Sequence, residues 1–322
     1  MTIQKRSIGL ALGAGGAKGL VHIGILKVLH KHKIYPNYIA GTSIGAVIGA
    51  AYAAGFSPEE LEEFAKTTDW KSIVDFTIPK NGLLQPELIE QKIRKLVHHR
   101  DFQELKVPLR IVAYNLSKNE RVVFSKGNVA RAVRASLSIP GVFPPLKMNN
   151  DFYIDGAVTD PTPFDIVRDM GADIVIAVDL YRKEKTVVHQ RVEGKSFFEE
   201  MQEKFVMVEL FNVKNYLFPQ RWPRFLRRVS MWIFDKILYP AKVLRILTGK
   251  ERSSITQVMY DAVGVLTNNL ARERIEHADV DILVNPSFDR LGWGDFNQAA
   301  KFIKIGEIAM EKEIRKLQYK LR

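Results

Sequence analysis

The chain of 322 residues contains no cysteine. This absence excludes disulfide frameworks, thiol nucleophiles, and zinc or iron–sulfur sites with cysteine ligands. The chain also lacks a sustained apolar run. The longest uncharged stretch, residues 34–58, is interrupted by glycine, proline, asparagine and hydroxyl side chains, and the apolar run Ile8–Leu12 is too short for a secretory signal. We therefore expect neither a signal peptide nor a membrane-spanning helix.

Acidic residues are scarce relative to basic ones, with 36 Asp and Glu against 48 Lys and Arg, a formal net charge of +12. The surplus is local. Residues 214–252 hold ten basic and two acidic residues, a net charge of +8, and the overlapping residues 197–239 hold eleven aromatic ones. Such a surplus favours contact with an anionic partner, either nucleic acid or lipid.

The sequence of residues 224–238 is typical of a helix with apolar side chains along one side and basic side chains elsewhere. This arrangement favours a helix lying in a lipid interface. The alternative is a helix packed on its own domain with a solvated basic face. Nucleic acid is disfavoured, because no known binding module is present. The residues expected to dock on an anionic membrane are Trp222, Arg224, Phe225, Arg227, Arg228 and Trp232.

Predicted strands alternate with predicted helices over the first 180 residues. Several of these strands are apolar on both faces, which predicts an α/β fold with a central, mostly parallel sheet covered by helices. Ser57 and Pro58 mark a helix start, as N-cap and first helical residue. The predicted strands are residues 7–12, 38–42, 107–114, 121–124, 153–154 and 174–180, and the other predicted helices are 17–33 and 44–54.

A glycine-rich loop, Gly13-Ala14-Gly15-Gly16-Ala17-Lys18-Gly19, lies between the first strand and the first helix. Glycines allow backbone N–H groups to point at an anion, and the helix start adds a favourable dipole. A dinucleotide site would also require an acidic residue at the end of the next strand, and residues 38–42 contain none. Lys18 is not spaced as a phosphate-binding loop requires, so nucleotide binding is disfavoured.

The pentapeptide Gly41-Thr42-Ser43-Ile44-Gly45 has the pattern of a nucleophile elbow between a strand and a helix. The alternative is a glycine-rich turn without chemistry. A triad in the usual order of serine, then acid, then histidine leaves His189 and His277 as candidates for the base. Neither has the strand-end context of a triad histidine, and a solvated position is the alternative for both.

Asp155 is the alternative base, because a strand that ends in Asp155-Gly156-Ala157 places a carboxylate at the sheet edge where α/β sites gather. In a desolvated site this carboxylate could take the serine proton directly. An Asp-Gly turn without chemistry is the other interpretation.

These three motifs, in this order, resemble those of the patatin-like phospholipases, including the bacterial members, which use a Ser–Asp dyad. Residues 134–145, before the aspartate strand, and residues 160–163 and 171–173, after it, fit the same family. Residues 278–279 and 292–306 resemble the C-terminal part of bacterial members. The resemblance implies a patatin-like α/β/α catalytic domain formed by residues 1–189 and 255–322. Residues 190–254 would be a basic, aromatic-rich helical insertion that serves as a lid or docks on the membrane.

The resemblance also implies roles for individual residues. Ser43 would be the nucleophile and Asp155 its base, without a metal or cofactor. The loop departs from the family pattern at Ala14, where glycine is usual, and at Lys18, where arginine is commoner. The implied supporting residues are Gly15, Gly16 and Ala17, whose N–H groups form the oxyanion hole, Lys18 and Gly19 in the same loop, Gly41 and Gly45 at the elbow, and Gly156 and Ala157 after the aspartate.

The implied function is serine-dependent hydrolysis of phospholipid or lysophospholipid acyl esters through an acyl-enzyme. We expect a cytoplasmic enzyme, bound peripherally to the inner face of the cell membrane. Two alternatives remain open: a catalytically idle lipid-binding or scaffold protein, and a triad esterase or thioesterase that acts on soluble esters.

Overall fold

Eight strands form one sheet in the computed structural model, which describes residues 6–68, 86–140, 143–181, 255–289 and 291–322. The strands are β1 Ile8–Leu12, β2 Tyr38–Thr42, β3 Leu109–Asn115, β4 Glu120–Phe124, β5 Leu146–Met148, β6 Asp151–Asp155, β7 Ile174–Val178 and β8 Ile282–Val284. Their order across the sheet is β5-β6-β3-β2-β1-β7-β8, with β4 also paired to β3.

The strand pairs are parallel at the centre of the sheet and antiparallel at one side. β1 pairs in parallel with β2 and β7, β2 with β3, and β7 with β8. The pairs β3–β4, β3–β6 and β5–β6 are antiparallel. β8 comes from the C-terminal part of the chain, so the sheet joins residues on both sides of the segment 190–254.

Helices cover both faces of the sheet. The α-helices are α1 Val21–Lys31, α2 Ile44–Ala54, α3 Pro58–Thr67, α4 Pro86–Leu96, α5 Val129–Ser136, α6 Phe164–Asp169, α7 Ile255–Glu276 and α8 Ala299–Lys320. Alternate residues of β1 face opposite layers, as strand geometry requires. Leu10 and Leu12 join the larger core with residues of α1, α2 and α8, and Ala11 joins the smaller core with Ile166 and Val167 of α6. The predicted three-layer α/β/α class with a mostly parallel sheet is therefore confirmed.

Local signals placed most element starts correctly. At the start of α3, the Ser57 hydroxyl accepts the Glu60 N–H (3.2 Å) and the Glu60 carboxylate accepts the Ser57 N–H (2.8 Å). The helix predicted for residues 17–33 is in fact a 3-10 helix, Gly16–Leu20, followed by α1. The short edge strands β5 and β8 were not predicted, because three residues carry too little alternation to be recognised.

The segment 190–254, with Trp222, Arg224, Phe225, Arg227, Arg228 and Trp232, lies outside the described residues, as does His189. The membrane-docking interpretation of this segment therefore stays a prediction. Among the helices in the described ranges, none is long and apolar enough to cross a membrane.

Candidate active site

Ser43 lies in the sharp turn between the end of β2 and the start of α2. Its backbone has φ 56° and ψ −121°, a conformation that is rare for residues other than glycine. The turn is possible because its flanking residues are glycines. A Cβ at Gly45 would overlap the Leu12 carbonyl, and a Cβ at Gly41 would lie 2.5 Å from the Gly45 carbonyl oxygen. The sequence G-x-S-x-G is thus required sterically, as expected for a nucleophile elbow.

Asp155 is the last residue of β6 and is only 3% exposed. Its carboxyl is hydrogen-bonded to the Ser43 side chain and accepts the Ala157 N–H at 2.8 Å. Burial raises the pKa of Asp155 to about 7, while the hydrogen bonds from Ser43 and Ala157 act in the opposite direction. A Cβ at Gly156 would lie 2.5 Å from the Val112 carbonyl oxygen, so the turn after the aspartate packs tightly on β3. The structure therefore brings the two predicted reactive side chains together in a site that is almost fully buried.

The glycine-rich loop crosses the carboxyl end of β1 next to the elbow. Ala14 donates its N–H to the Pro161 carbonyl at 2.8 Å, and Ala17 donates its N–H to the Trp293 carbonyl at 2.7 Å. Ala17 was expected to serve as an oxyanion donor, but its N–H already has an acceptor. Within the described ranges, no acceptor is present for the N–H groups of Gly15 and Gly16. An oxyanion hole needs N–H groups that are not already hydrogen-bonded. Of the three expected donors, only Gly15 and Gly16 meet this condition among the described residues.

C-terminal residues hold this loop in place. The ring of Trp293 lies against Gly16, which has φ +56°, so closely that a Cβ at Gly16 would overlap it. The Lys18 ammonium lies 4.9 Å from the centre of the Phe288 ring. A Cβ at Gly19 would overlap the Ile44 side chain, so the loop also packs on the elbow helix. Sequence reasoning missed Trp293 and Phe288, because about 270 residues separate them from the loop they contact.

His22, in the first turn of α1, is hydrogen-bonded to the first residue of the glycine-rich loop. The side chain is fully buried, and burial lowers its pKa to about 4, although a hydrogen bond to Gly13 acts against this shift. The ring is therefore neutral at physiological pH. Its Nε2 lies 2.8 Å from the Gly13 carbonyl oxygen, which can only accept, so Nε2 carries the proton. His22 thus fixes a loop carbonyl rather than acting as a base.

A buried ion cluster around Asp160 is connected to the elbow through Thr42. The Thr42 hydroxyl donates to the Asp160 carbonyl at 2.8 Å. The Asp160 carboxylate has no exposed surface and pairs with Arg121 of β4 (2.8 Å) and Arg274 of α7 (3.1 Å). Burial raises the pKa of Asp160 to about 6, although the two arginines lower it. The cluster thus anchors α7, which follows the segment 190–254 in the sequence, beside the site.

Of the two histidine candidates for a triad, His277 lies within the described residues and is not hydrogen-bonded to Ser43. His277 is exposed at the end of α7, and its Nδ1 lies 2.9 Å from the Glu273 carbonyl oxygen. In the part of the chain that the structure describes, no histidine is hydrogen-bonded to Ser43 or Asp155. The solvated-histidine interpretation therefore fits His277.

Comparisons with known proteins find relatives for part of the chain. Residues 10–168 match the model of the Patatin-like phospholipase family. An uncharacterized NTE family protein of Mycobacterium tuberculosis is 36% identical over 176 residues, which make up 54% of this chain and 49% of that protein. Patatin-like phospholipase domain-containing protein 6 of Homo sapiens is 33% identical over 188 residues, 56% of this chain and 14% of that protein. The matched region thus spans about half the length of the mycobacterial relative.

A comparison with solved structures finds the crystal structure of VipD from Legionella pneumophila. It aligns with 97% of this chain and 67% of that chain, with a TM-score of 0.47 and 13% sequence identity.

Proposed function

The chain belongs to the patatin-like phospholipase family through residues 10–168, and on this premise we propose that it hydrolyses lipid acyl esters with a Ser43–Asp155 dyad. The observation that carries the proposal is the buried hydrogen bond between the Ser43 side chain and the Asp155 carboxyl. A pKa near 7 suits a general base at physiological pH, because the carboxylate is then both populated and basic enough to take a proton. The left-handed backbone at Ser43 is the strained geometry expected at a nucleophile elbow.

The first half-reaction acylates the serine. The Ser43 hydroxyl oxygen attacks the ester carbonyl carbon, and its proton passes to the Asp155 carboxylate. The N–H groups of Gly15 and Gly16 stabilise the negative oxygen of the tetrahedral intermediate. When the intermediate collapses, the bond to the alcohol breaks, and the departing alcohol oxygen takes the proton from Asp155. The fatty acyl group then remains as an ester on Ser43.

The second half-reaction releases the fatty acid. Asp155, again a carboxylate, takes a proton from a water molecule that attacks the acyl carbonyl carbon. The tetrahedral intermediate uses the same two N–H groups and collapses with the Ser43 oxygen as leaving group. Asp155 returns its proton to that oxygen. The family name supports phospholipids or lysophospholipids as the substrates.

The direct test of the nucleophile is covalent labelling with a fluorophosphonate probe. Ser43 would attack the phosphorus, fluoride would leave, and the phosphonate would stay on the serine oxygen. Peptide mass spectrometry should find the label on Ser43 in the native protein and find none after unfolding or in the Ser43→Ala variant. A native protein that takes no label at Ser43 would contradict the proposed function.

The rate of ester hydrolysis should depend on the ionisation of Asp155. Because burial raises the pKa of Asp155 to about 7, only about a tenth of the carboxyl is ionised at pH 6. The value of kcat/KM for a soluble ester should therefore fall about tenfold per pH unit below 7 and level off above it. A rate that is unchanged between pH 5 and 8 would exclude Asp155 as the base.

Asp179 provides a matched control for this pH profile, because it is a second buried carboxyl at the same sheet edge. Burial raises the pKa of Asp179 to about 6, against the hydrogen bonds from Tyr181, Thr162 and Asn285. Its carboxyl is held by Thr162 and Asn285 and not by Ser43. An Asp179→Asn variant should therefore keep a midpoint near pH 7.

The proposed surface for membrane contact is the basic, aromatic-rich segment 197–252. Each Lys or Arg near an anionic bilayer contributes about 1 kcal/mol, so several together suffice for reversible binding. Aromatic side chains such as Trp222 and Trp232, when inserted into the bilayer, would add an apolar contribution to binding that salt does not screen. Binding to anionic vesicles, measured by co-sedimentation, should weaken with added salt without vanishing.

Charge reversal in this segment tests the proposed contact. The triple variant Arg224→Glu, Arg227→Glu and Arg228→Glu should no longer co-sediment with anionic vesicles but should keep its hydrolysis of a soluble ester. Unchanged binding by this variant, or no binding by the wild type, would favour a basic helix packed on its own domain.

The matched control changes the same amount of charge on α8, whose exposed basic side chains include Lys301, Arg315 and Lys316. The variant Lys301→Glu, Arg315→Glu and Lys316→Glu should keep most of its vesicle binding. Equal loss in both triple variants would mean that net charge, rather than the segment 197–252, controls binding.

A further inference from the structure

The last residue of α5, Ser136, lies directly behind the elbow. Its side chain has no exposed surface, and its hydroxyl oxygen accepts the Ser43 N–H at 2.8 Å. Ser43 precedes the first residue of α2, so neither the strand nor the helix provides an acceptor for this N–H. Ser43 itself is 3% exposed, so water does not replace the bond. The Ser136 hydroxyl is thus the acceptor that satisfies the Ser43 backbone.

The same turn also holds Asp155. Two residues after Ser136, the Ser138 carbonyl accepts the Asp155 N–H at 3.0 Å. The backbone of the nucleophile and the backbone of its base are therefore both fixed to residues 136–138. No other short segment in the described part of the chain hydrogen-bonds to the backbone N–H groups of both residues.

A buried arginine makes this turn rigid. Arg134 is 1% exposed, and its guanidinium donates to the Ser138 hydroxyl at 2.7 Å and to the Pro144 carbonyl at 3.2 Å. The Ser138 hydroxyl in turn donates to the Arg134 carbonyl at 3.1 Å. The guanidinium carbon also lies 5.8 Å from the centre of the Phe143 ring. The turn is therefore braced independently of the two residues that it holds.

We propose that Ser136 is a positioning residue for Ser43, because its hydroxyl oxygen keeps the Ser43 backbone in the conformation from which the Ser43 hydroxyl reaches Asp155. The positive φ of Ser43 is strained, and such a conformation persists only where its surroundings fix it. Without an acceptor, the buried N–H favours a rotated backbone that finds another partner. This rotation turns the hydroxyl away from Asp155. The inference rests on the proposed function, since it assigns Ser136 a part in the same site.

Ser136→Ala removes only the acceptor oxygen, and Ser57→Ala is its matched control. The Ser57 hydroxyl also accepts a backbone N–H, that of Glu60, but at the start of α3 rather than at the elbow. We expect fluorophosphonate labelling of Ser43 to slow about 10- to 100-fold in Ser136→Ala, as displacements of about 1 Å at reacting atoms do. Ser57→Ala should label at close to the wild-type rate, although the loss of a helix cap lowers the melting temperature.

A kinetic measurement separates positioning from a merely structural role. Ser136 has no exposed surface, so it does not touch a substrate. With a soluble ester, Ser136→Ala should therefore lower kcat and leave KM unchanged. Its pH midpoint should stay near 7, because the burial of Asp155 is unchanged. If Ser136→Ala does not fold, Ser136→Cys keeps the volume and provides only a weak sulfur acceptor, and its labelling should still be slower than that of the wild type.

The possible outcomes are distinct. If a folded Ser136→Ala or Ser136→Cys protein labels as fast as the wild type, or if Ser57→Ala is slowed equally, the role of Ser136 is refuted while the dyad stands. If the wild type takes no label at Ser43, the proposed function fails and this inference fails with it. Slow labelling in Ser136→Ala alone, with unchanged KM, supports it.

Discussion

Replacing Ser43 with alanine is expected to lower the turnover of a soluble ester by about 10,000-fold or more, because no other described group takes the nucleophile's place. The fold should survive. The alanine retains the backbone N–H that Ser136 accepts. The variant should therefore unfold at close to the wild-type temperature. Ester turnover by stopped assay and melting by circular dichroism provide the two measurements.

The Asp155→Asn variant should lose activity to a similar extent without losing stability. Burial raises the pKa of Asp155 from 3.8 to about 7, so the folded protein binds this proton more tightly than the unfolded chain does. Stability is therefore lost as the pH rises from about 4 to 7, and a neutral amide avoids that loss. At pH 8 the variant should melt at a temperature no lower than that of the wild type.

The double variant of Ser43 and Asp155 shows whether the two residues act as one unit. If they do, it should be no less active than either single variant. Near wild-type turnover in a folded Asp155→Asn protein would show that the base lies elsewhere.

The second large effect is expected at Gly16. A Cβ there would overlap the Trp293 ring, and φ +56° is unfavourable for alanine. Gly16→Ala should therefore displace the loop and its N–H groups. Loss of one oxyanion donor costs about 100- to 1,000-fold in turnover. We expect a fall in kcat of this size for the soluble ester.

Gly127 is the matched control, because it shares the strained backbone without the contact. It is exposed, has φ +76°, and a Cβ there would meet nothing within 4 Å. Gly127→Ala should lower the melting temperature and leave kcat unchanged. Full turnover in a folded Gly16→Ala protein would remove the loop from the mechanism. Adding Trp293→Ala to Gly16→Ala makes room for the methyl group and should restore part of the turnover.

The sequence was sufficient where chemistry and backbone are local. The elbow, the glycine-rich loop and the aspartate turn each combine glycines with a strand end, so these turns could be located from the sequence alone. The parallel pairing of β1 with β2 and β7 agrees with the mostly parallel sheet that was predicted from strands apolar on both faces. Ser57 and Pro58 likewise marked the start of α3 through a cap that depends only on neighbouring residues.

Contacts between distant parts of the chain could not be predicted in this way. Trp293 is an aromatic residue in a loop. Nothing near it in the sequence indicates that its carbonyl accepts a hydrogen bond from the Ala17 N–H. Ser136 is an ordinary helix-end serine until Ser43 is placed beside it. His22 has the sequence context of a core histidine and fixes the Gly13 carbonyl only in the folded chain. Each depends on packing across the sheet, which periodicity does not encode.

The central claim is that Ser43 hydrolyses lipid acyl esters, and lipid release tests it most directly. Wild type and Ser43→Ala should be incubated with a mixed panel of phospholipids and lysophospholipids, and the products read by mass spectrometry. We expect free fatty acid and the matching deacylated lipid with the wild type and only background with Ser43→Ala. Equal release by the two proteins, or none by a folded wild type, would contradict it.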